Sequence, residues 1–520
     1  MRETISLLLL FLLLSSPLSS SSTLEFRDSL SDLSQQSTQH CSNLKSTDKF
    51  LCELTGAIDA QGPRSPSAPP LLNSTCKFKE DCVYSTYYPY ATPPSPELET
   101  ILDKYVAMRE RCLAKDSDTL LDTFHSSERP NCQYVIWRQT NAGFGNRIIS
   151  LISTFLYSIF SARVLLVDYP NWNDLFCEPF ARSSLRVPQG YPLDYSLGAS
   201  YLQYLDAKCG SPRGNAGSSP CNQTIVHLIL DHASPIREYD SVLCPLGYSR
   251  LRNIPFVMIR DSNQYFVPGY YANPVLRPLM DLLFPERNIF HVLSRFLLFP
   301  SDAMWGSIRL YLDVHASRRV GLQIREFKIG KYTTEYDDNI VRCLRERGGL
   351  LPKRFRKRVC EDEYLAIHVA TLEKGHVGRM NETMKIIEEE TGKEVRVKWQ
   401  EVESRELHDL TQQKEALIDM WVLSTSHVLI TSMESTFGYV ANGLSGVPSY
   451  FIDKEESESC KVNHGVDLCF HQAPKMLVCS DDEPVRYRAY DLSVNSSWIR
   501  PCVDRLVFGW SLAGEVSYPL

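Results

Sequence analysis

A short apolar run that ends in a hydroxyl-rich turn constrains the fold of this chain more than any other feature. Residues 427–431 are mostly apolar and β-branched, as in a strand buried within a parallel sheet. Ser432, Ser435 and Thr436 follow where a helix would begin. Four small residues come next, at Gly438, Ala441, Gly443 and Gly446. Because helix N-termini attract anions, the run predicts a strand, turn and helix that bind a phosphate. The alternative is an ordinary βα turn with a Ser/Thr cap.

A second strand pattern, in residues 319–327, ends on Arg325. A guanidinium is always charged and donates hydrogen bonds in a fixed fork, which suits it to a diphosphate. Open α/β sheets bind ligands outside the carboxyl ends of their strands, so we expect Arg325 and the turn after residue 431 to face one crevice. The alternative is that Arg325 forms a salt bridge at the surface.

Three short motifs occur in a fixed order along the chain. They read Gly143, Phe144, Gly145, Asn146 and Arg147; then Gln323, Ile324 and Arg325; then Ser435, Thr436, Phe437, Gly438, Tyr439 and Val440. With the stretches that connect them, they make the chain similar to the plant xyloglucan-type α-1,2-fucosyltransferase family, glycosyltransferase family 37, from Tyr90 to Ala513. Each motif alone is weak evidence, whereas the ordered set is specific.

The resemblance implies an α/β fold of the GT-B type, in which two Rossmann-like, doubly wound domains face a cleft. It also implies an inverting enzyme that moves L-fucose from GDP-β-L-fucose to a galactosyl hydroxyl of a cell-wall glycan, such as xyloglucan or arabinogalactan protein, in α-1,2 linkage. The implied partners are GDP-fucose and a galactose-containing polysaccharide or glycoprotein, with no metal or other cofactor. The family is usually anchored in the Golgi membrane, so we expect a Golgi location.

The resemblance also assigns residues to the site. Arg325 is expected to be catalytic, because it would stabilise the charge on the departing GDP. The donor-binding set is expected to be Arg325, Ser432, Ser435, Thr436, Phe437, Gly438 and Tyr439. The cleft loop is expected to contain Gly143, Gly145, Asn146 and Arg147, with the two glycines permitting a tight turn.

The chain departs from the family pattern at two places. Residues 262–266 lack the acidic residue that the family carries before its acceptor segment, which leaves the nearby Asp261 as the candidate general base. Glu326 and Lys328 flank Arg325 in place of the more usual Val and Asp. Two rival hypotheses therefore stay open: a catalytically lapsed member that binds glycan or nucleotide sugar, and an enzyme that uses another donor, such as a UDP-sugar.

Composition indicates a globular protein of an oxidising compartment. The formal charge of -7 and the pI near 6.0 argue against a nucleic-acid binder, which normally carries a strongly basic face. Sixteen cysteines without close Cys-x-x-Cys spacing favour disulfides over zinc. The Asp-x-Asp pair at Asp116 and Asp118 lies near the stem and is interpreted as surface charge. Four N-glycosylation sequons lie at Asn73, Asn222, Asn381 and Asn495.

The chain is expected to have four parts. Residues 1–22 resemble a signal peptide or short signal-anchor, and residues 23–96 a Ser/Pro-rich stem. Residues 97–300 are expected to form an acceptor-side α/β domain, and residues 301–513 a GDP-fucose-binding α/β domain. The sequence leaves open whether the N-terminus is cleaved, how the cysteines pair, and whether the protein is a homodimer.

Periodicity places the secondary structure around the motifs. It predicts helices at 97–112, 148–160 and 413–424, and strands at 133–137, 164–168, 364–371 and 395–400. The strand, glycine loop, helix and strand between residues 133 and 168 form a βαβ unit, which begins the first α/β domain.

Overall fold

The structure of the protein is a computed structural model. It describes residues 54, 58, 93–113, 132–180, 182–188, 225–231, 236–244, 251, 254–273, 276–326, 334–347, 362–392, 394–446, 449–452, 460–463, 465, 467–474, 498–504 and 509–514. The expected leader, most of the expected stem and three of the four sequons, at Asn73, Asn222 and Asn495, lie outside these residues.

Helices and strands alternate along most of the described chain. The helices are α1 Pro96–Leu113, α2 Phe144–Phe160, α3 Trp172–Leu175, α4 Ile236–Leu243, α5 Pro268–Ala272, α6 Arg277–Leu283, α7 Ile289–Leu297, α8 Asp302–Tyr311, α9 Thr334–Arg347, α10 Lys374–Thr391, α11 Leu410–Ser424 and α12 Thr436–Ser445. The strands are β1 Tyr134–Arg138, β2 Val164–Asp168, β3 Ile225–Ile229, β4 Phe256–Arg260, β5 Ala316–Ile324, β6 Asp362–Thr371, β7 Val395–Trp399, β8 Val428–Ser432, β9 Ser449–Ile452, β10 Lys461–Val462, β11 Ile499–Pro501 and β12 Trp510–Leu512.

The first sheet contains four parallel strands in the order β2-β1-β4-β3. Its strands are apolar along nearly their whole length and buried, which is the pattern of a parallel sheet covered on both faces. Because all four strands run the same way, their carboxyl ends lie at one edge. The predicted strands at 133–137 and 164–168 are confirmed as β1 and β2.

The second sheet has the order β10-β9-β8-β5-β6-β7, and its strands are parallel except for β10 at one edge. β5 lies in the centre, where Gln323 pairs with Thr431 of β8 and Ile324 pairs with Thr371 of β6. This register places Arg325, just after β5, beside the residues that follow β6 and β8. The strands predicted at 364–371 and 395–400 are confirmed as β6 and β7.

The two sheets face each other through the helices that leave their carboxyl ends. α2 follows β1, α12 follows β8, and these two helices pack together. The largest apolar cluster runs through both halves and includes Ile152 of α2, Phe290 of α7, Trp421 of α11 and Val440 of α12. We call the space between the two carboxyl edges the crevice. Two parallel α/β sheets in this relation form the GT-B architecture, as the resemblance implies.

One helix boundary differs from the prediction. The sequence predicts a glycine loop followed by a helix at 148–160, but α2 begins at Phe144, with Gly143 as its N-cap. Asn146 and Arg147 therefore lie in the first helical turn instead of in a loop. The pattern concealed this start because glycine at position 145 disfavours a helix unless tertiary contacts require it.

Three disulfides join described cysteines: Cys112 to Cys132, Cys343 to Cys460 and Cys469 to Cys502. They confirm the prediction that the cysteines form disulfides. The last of them lies in a C-terminal segment that returns to the first half of the chain, where β11 and β12 contact α5. Among the described helices, none combines the length and the apolar character that crossing a bilayer requires.

Candidate active site

The turn between β8 and α12 exposes backbone N–H groups at a helix N-terminus. Ser435 is the N-cap of α12, but its side chain makes no capping hydrogen bond, and the first helical bond runs from the Tyr439 N–H to the Ser435 carbonyl. Glu434 precedes it in a left-handed conformation, with φ of 59°. The Ser435 side chain therefore does not satisfy the N–H groups at the start of α12, and uncapped groups of this kind favour an anion.

Gln323 fixes this turn from the neighbouring strand. Its Nε2 donates to Ser435 Oγ over 3.1 Å, and its Oε1 accepts from the Ser432 N–H over 3.1 Å. Gly438 lies so close that an added Cβ would be 2.9 Å from Thr431 Cβ and 3.0 Å from Gln323 Oε1. The side chain of Gln323 thus holds the turn in its conformation, and glycine at position 438 allows α12 to lie against the sheet.

Arg325 leaves β5 at the crevice. Its backbone N–H donates to Ser432 Oγ over 2.7 Å, and the same hydroxyl lies 2.6 Å from the hydroxyl of Tyr336. Ser432 is buried, so these protein groups occupy the hydroxyl that the sequence analysis assigned to the donor. The side chain of Arg325 is exposed. α9 and β8 therefore hold the backbone of Arg325 at the carboxyl edge of the second sheet, where the residue is exposed.

A second arginine lies near Arg325. Arg405 donates from Nη2 to the Leu372 carbonyl over 2.7 Å, and its Nη1 is 3.4 Å from Glu373 Oε1, so it sits just beyond β6, the neighbour of β5. Partial desolvation lowers the pKa of Arg325, and the charge of Arg405 lowers that pKa further. Two guanidinium groups therefore lie near this edge, with the Glu373 carboxylate beside Arg405.

The opposite wall of the crevice is the start of α2. Its N-cap, Gly143, has no side chain to satisfy the first N–H groups of the helix. An added Cβ at Gly145 would lie 2.8 Å from the carbonyl carbon of Thr436 and 2.9 Å from the nitrogen of Phe437. Asn146 accepts a hydrogen bond through Oδ1 from the Thr436 hydroxyl. The first and third motifs of the sequence therefore meet, and two uncapped helix N-termini flank the crevice.

Two residues of the expected site face the protein interior instead. Arg147 is buried, and it donates to the carbonyls of Ala142 over 3.0 Å and of Leu407 over 2.9 Å. The expectation that Arg147 lines the cleft is corrected: it ties α2 to the segment that carries Arg405. Tyr439 is also buried, and its hydroxyl donates to Asp504 Oδ2 over 2.5 Å.

Asp504 is a residue that sequence reasoning missed. Besides Tyr439, it accepts a hydrogen bond from the backbone N–H of Glu434 over 2.8 Å, and so it holds the left-handed residue of the donor turn. It lies two residues after Cys502, whose disulfide to Cys469 ties this segment down. No local pattern marks Asp504, since its partners lie 65 and 70 residues away in the chain.

The remaining predicted site residues lie as follows. Phe437 is partly exposed in the first turn of α12. Asp261 follows β4 at the carboxyl edge of the first sheet, in a left-handed conformation with φ of 54°, and its Oδ2 accepts from Arg260 Nε over 3.1 Å. Its side chain is 44% exposed, so it can still contact a ligand, and its role as base stays a prediction.

The described residues contain one group of side chains close enough together to ligate a metal: Cys469, Cys502 and Asp504. The two cysteines of this group are joined in a disulfide and do not offer thiolates. The fourth sequon, at Asn381, lies exposed on α10.

The fold and the crevice together define a class of protein. Two facing parallel α/β sheets, with arginines and uncapped helix N-termini between their carboxyl edges, are the framework of a GT-B glycosyltransferase. The chain belongs to the xyloglucan fucosyltransferase family, whose model matches residues 67–480. The resemblance drawn from the motifs is thereby confirmed.

Relatives agree with this membership. The chain is 31% identical over 411 residues to a galactoside 2-alpha-L-fucosyltransferase of Pisum sativum, covering 73% of this chain and 71% of that one. It is 28% identical over 428 residues to a galactoside 2-alpha-L-fucosyltransferase of Arabidopsis thaliana, with 76% and 75% covered. A solved structure of an arginine-to-lysine mutant of Arabidopsis thaliana FUT1 in complex with GDP matches with a TM-score of 0.68 at 26% identity, over 85% of this chain and 99% of that chain.

Proposed function

We propose that this protein is an inverting fucosyltransferase that moves L-fucose from GDP-β-L-fucose to a galactosyl hydroxyl of a plant cell-wall glycan, in α-1,2 linkage. The observation that carries the proposal is the convergence at one crevice of Arg325, Arg405 and the uncapped starts of α2 and α12. A nucleoside diphosphate is a compact anion of high charge, which this set of donors fits.

The donor diphosphate binds beside β5 in this proposal. The guanidinium of Arg325 contacts the phosphates, and the N–H groups at the start of α12 donate to their oxygens. Arg405 adds a second guanidinium from just beyond the carboxyl end of β6. Gln323 and Ser432 act indirectly, since their polar atoms hold the turn and the backbone of Arg325.

The transfer step follows from this placement. The acceptor hydroxyl oxygen forms a bond to the anomeric carbon of fucose while the bond from that carbon to the β-phosphate oxygen breaks, and the acceptor proton passes to a base or to water. GDP leaves with the electron pair, and Arg325 stabilises the added negative charge. Preorganised donors of this kind each typically contribute about 10²- to 10³-fold in rate. Asp261 is our candidate for the group that receives the proton.

Two rival hypotheses predict different binding behaviour. A lapsed member that binds glycan or nucleotide sugar without transfer is disfavoured, because the relatives carry the names of transferases and the chain keeps Arg325 at the crevice. An enzyme that uses a UDP-sugar would prefer UDP over GDP. Calorimetric titration of the full-length protein with GDP and UDP, each with and without EDTA, identifies the nucleotide, and a transfer assay separates an enzyme from a lapsed member.

Selective GDP binding that survives EDTA is the expected result of that titration. Transfer from GDP-fucose to galactosylated xyloglucan or arabinogalactan acceptors then tests the reaction. Arg325→Gln should lower the transfer rate by at least about 100-fold. Arg345→Gln, which breaks an exposed ion pair with Glu390 on the outer surface, is the matched control and should keep the rate. Unchanged turnover in Arg325→Gln would refute the site.

We further propose that the protein works in the lumen of the secretory pathway, in the Golgi apparatus. The disulfides and the exposed sequon at Asn381 support this location, because both are features of proteins made in an oxidising lumen. Co-localisation of a tagged full-length chain with a Golgi marker is the expected result, and a cytosolic distribution would contradict it.

A further inference from the structure

A buried imidazole lies between two carboxylates next to Arg325. His376 of α10 is fully buried, and its Nδ1 is 2.6 Å from Asp337 Oδ1 of α9. Its Nε2 is 3.6 Å from Glu326 Oε1. Because Glu326 follows Arg325 directly in the chain, the imidazole links α9 and α10 to the end of β5.

A second set of contacts joins α9 to the end of β5. The hydroxyl of Tyr336, the neighbour of Asp337, lies 2.6 Å from Ser432 Oγ, which accepts from the Arg325 N–H. The ring of Tyr336 also packs edge-on against His376, with ring centroids 6.0 Å apart. Two adjacent residues of α9 therefore act on two adjacent residues after β5, one through a serine and one through a histidine.

The chemistry of the cluster explains why a histidine stands between the two acids. Burying a carboxylate is costly unless it is paired and hydrogen-bonded. The neutral imidazole has one N–H, whereas the imidazolium has two and can donate to Asp337 and Glu326 at once.

We infer that Glu326, His376 and Asp337 form a positioning relay that sets where the guanidinium of Arg325 lies in the crevice. The relay rests on the proposed function, since it acts through the residue placed on the diphosphate. Its members are positioning residues, because they contact the loop that carries Arg325. Their expected effect is therefore on donor affinity and on the rate of transfer, and not on acceptor binding.

Two conservative substitutions separate the two ends of the imidazole. The amide of His376→Gln reaches about where Nε2 lies and keeps a donor toward Glu326, whereas the amide of His376→Asn lies near Nδ1 and keeps only the bond to Asp337. We expect His376→Gln to bind GDP within about threefold of the wild type. We expect His376→Asn to bind GDP at least about tenfold more weakly, with a raised KM for GDP-fucose and an unchanged KM for the acceptor.

A second buried histidine of the same domain provides the control. His368 of β6 lies 2.9 Å from Asp419 through Nε2 and packs against Tyr311. His368→Gln is expected to change the melting temperature without changing the affinity for GDP. Should the His376 variants fail to fold, Glu326→Met tests the same contact, since it keeps most of the volume of the side chain and removes the oxygen that faces His376. It is expected to weaken GDP binding to the same degree as His376→Asn.

The outcomes are distinct. Equal GDP affinity in His376→Asn and His376→Gln, or better affinity in His376→Asn, would overturn the relay. An unchanged affinity in Glu326→Met would overturn it as well. Failure of the proposed function has a different signature: the wild type would bind no GDP, or Arg325→Gln would bind it as the wild type does.

Discussion

Replacing Gly145 by alanine tests whether the contact between the two halves of the protein builds the donor site. The added Cβ would lie 2.8 Å from the carbonyl carbon of Thr436, and 2.9 Å from both the Thr436 oxygen and the Phe437 nitrogen. Carbon atoms in contact prefer about 3.5 to 4.0 Å, so α2 and α12 must separate by roughly 0.7 Å or more. All three neighbours are backbone atoms, which cannot rotate away as a side chain would.

Overpacking of this kind costs about 1–3 kcal/mol. The cost falls on the arrangement in which the starts of α2 and α12 flank the crevice, and that arrangement is the one proposed to bind GDP. At about 1.4 kcal/mol for each tenfold change, Gly145→Ala should weaken GDP binding about 5- to 150-fold. The hydrogen bond between Asn146 and Thr436 would be lost in the same displacement.

The assay is calorimetric titration with GDP, with the melting temperature measured in parallel. Gly378→Ala, on the exposed face of α10, is the matched control, because a Cβ there would meet nothing within 4 Å. Affinity in Gly145→Ala equal to that of this control would refute the reasoning.

Three further predictions concern charged groups. Arg405→Gln should weaken GDP binding about tenfold and GMP binding less, measured by calorimetry; an equal loss for both would contradict a role at the diphosphate. Asp504→Ala removes the acceptor of the Glu434 N–H and the Tyr439 hydroxyl, so it should lower the free energy of unfolding by about 1–3 kcal/mol and also weaken GDP binding. Unchanged values of both quantities would refute this role of Asp504. Burial raises the pKa of Asp467 from 3.8 to about 7, so its contribution to stability is fully present below about pH 4 and is lost as pH rises to about 7. Asp467→Asn should flatten the fall in urea stability between about pH 4 and pH 7, and an identical slope would show that another group titrates.

Local patterns were sufficient for the elements that carry the site. The predicted strand at 427–431 is β8, and the predicted strand ending at Arg325 is β5, because runs of buried β-branched residues are a signal within one segment. The meeting of Arg325 with the turn after β8 also follows from a general rule about the carboxyl ends of parallel strands. Each of these predictions requires only the residue pattern of one segment and the parallel arrangement of the strands.

Local patterns could not predict which residues contact the site residues. Arg147 occupies a motif position that suggests the cleft, yet it donates to the carbonyl of Leu407, 260 residues later in the chain. Asp504 accepts a hydrogen bond from the donor turn although it lies in the C-terminal segment. His376 of α10 contacts Glu326, which follows β5. These contacts depend on how whole helices and strands pack together. In the sequence alone, the carboxylate or imidazole that makes such a contact cannot be distinguished from a charged residue at the surface.

The structure also separates the residues that shape the turn from the residue proposed to contact the donor. Gln323, Ser432 and Gly438 bond or pack with one another, so a protein that had lost its activity would still require them to fold the turn. Arg325 differs in that the turn uses its backbone N–H, which any residue other than proline would supply. Its guanidinium carries a charge that a bound diphosphate would neutralise. Loss of transfer in Arg325→Gln with the fold intact is therefore the result that distinguishes an enzyme from a lapsed relative.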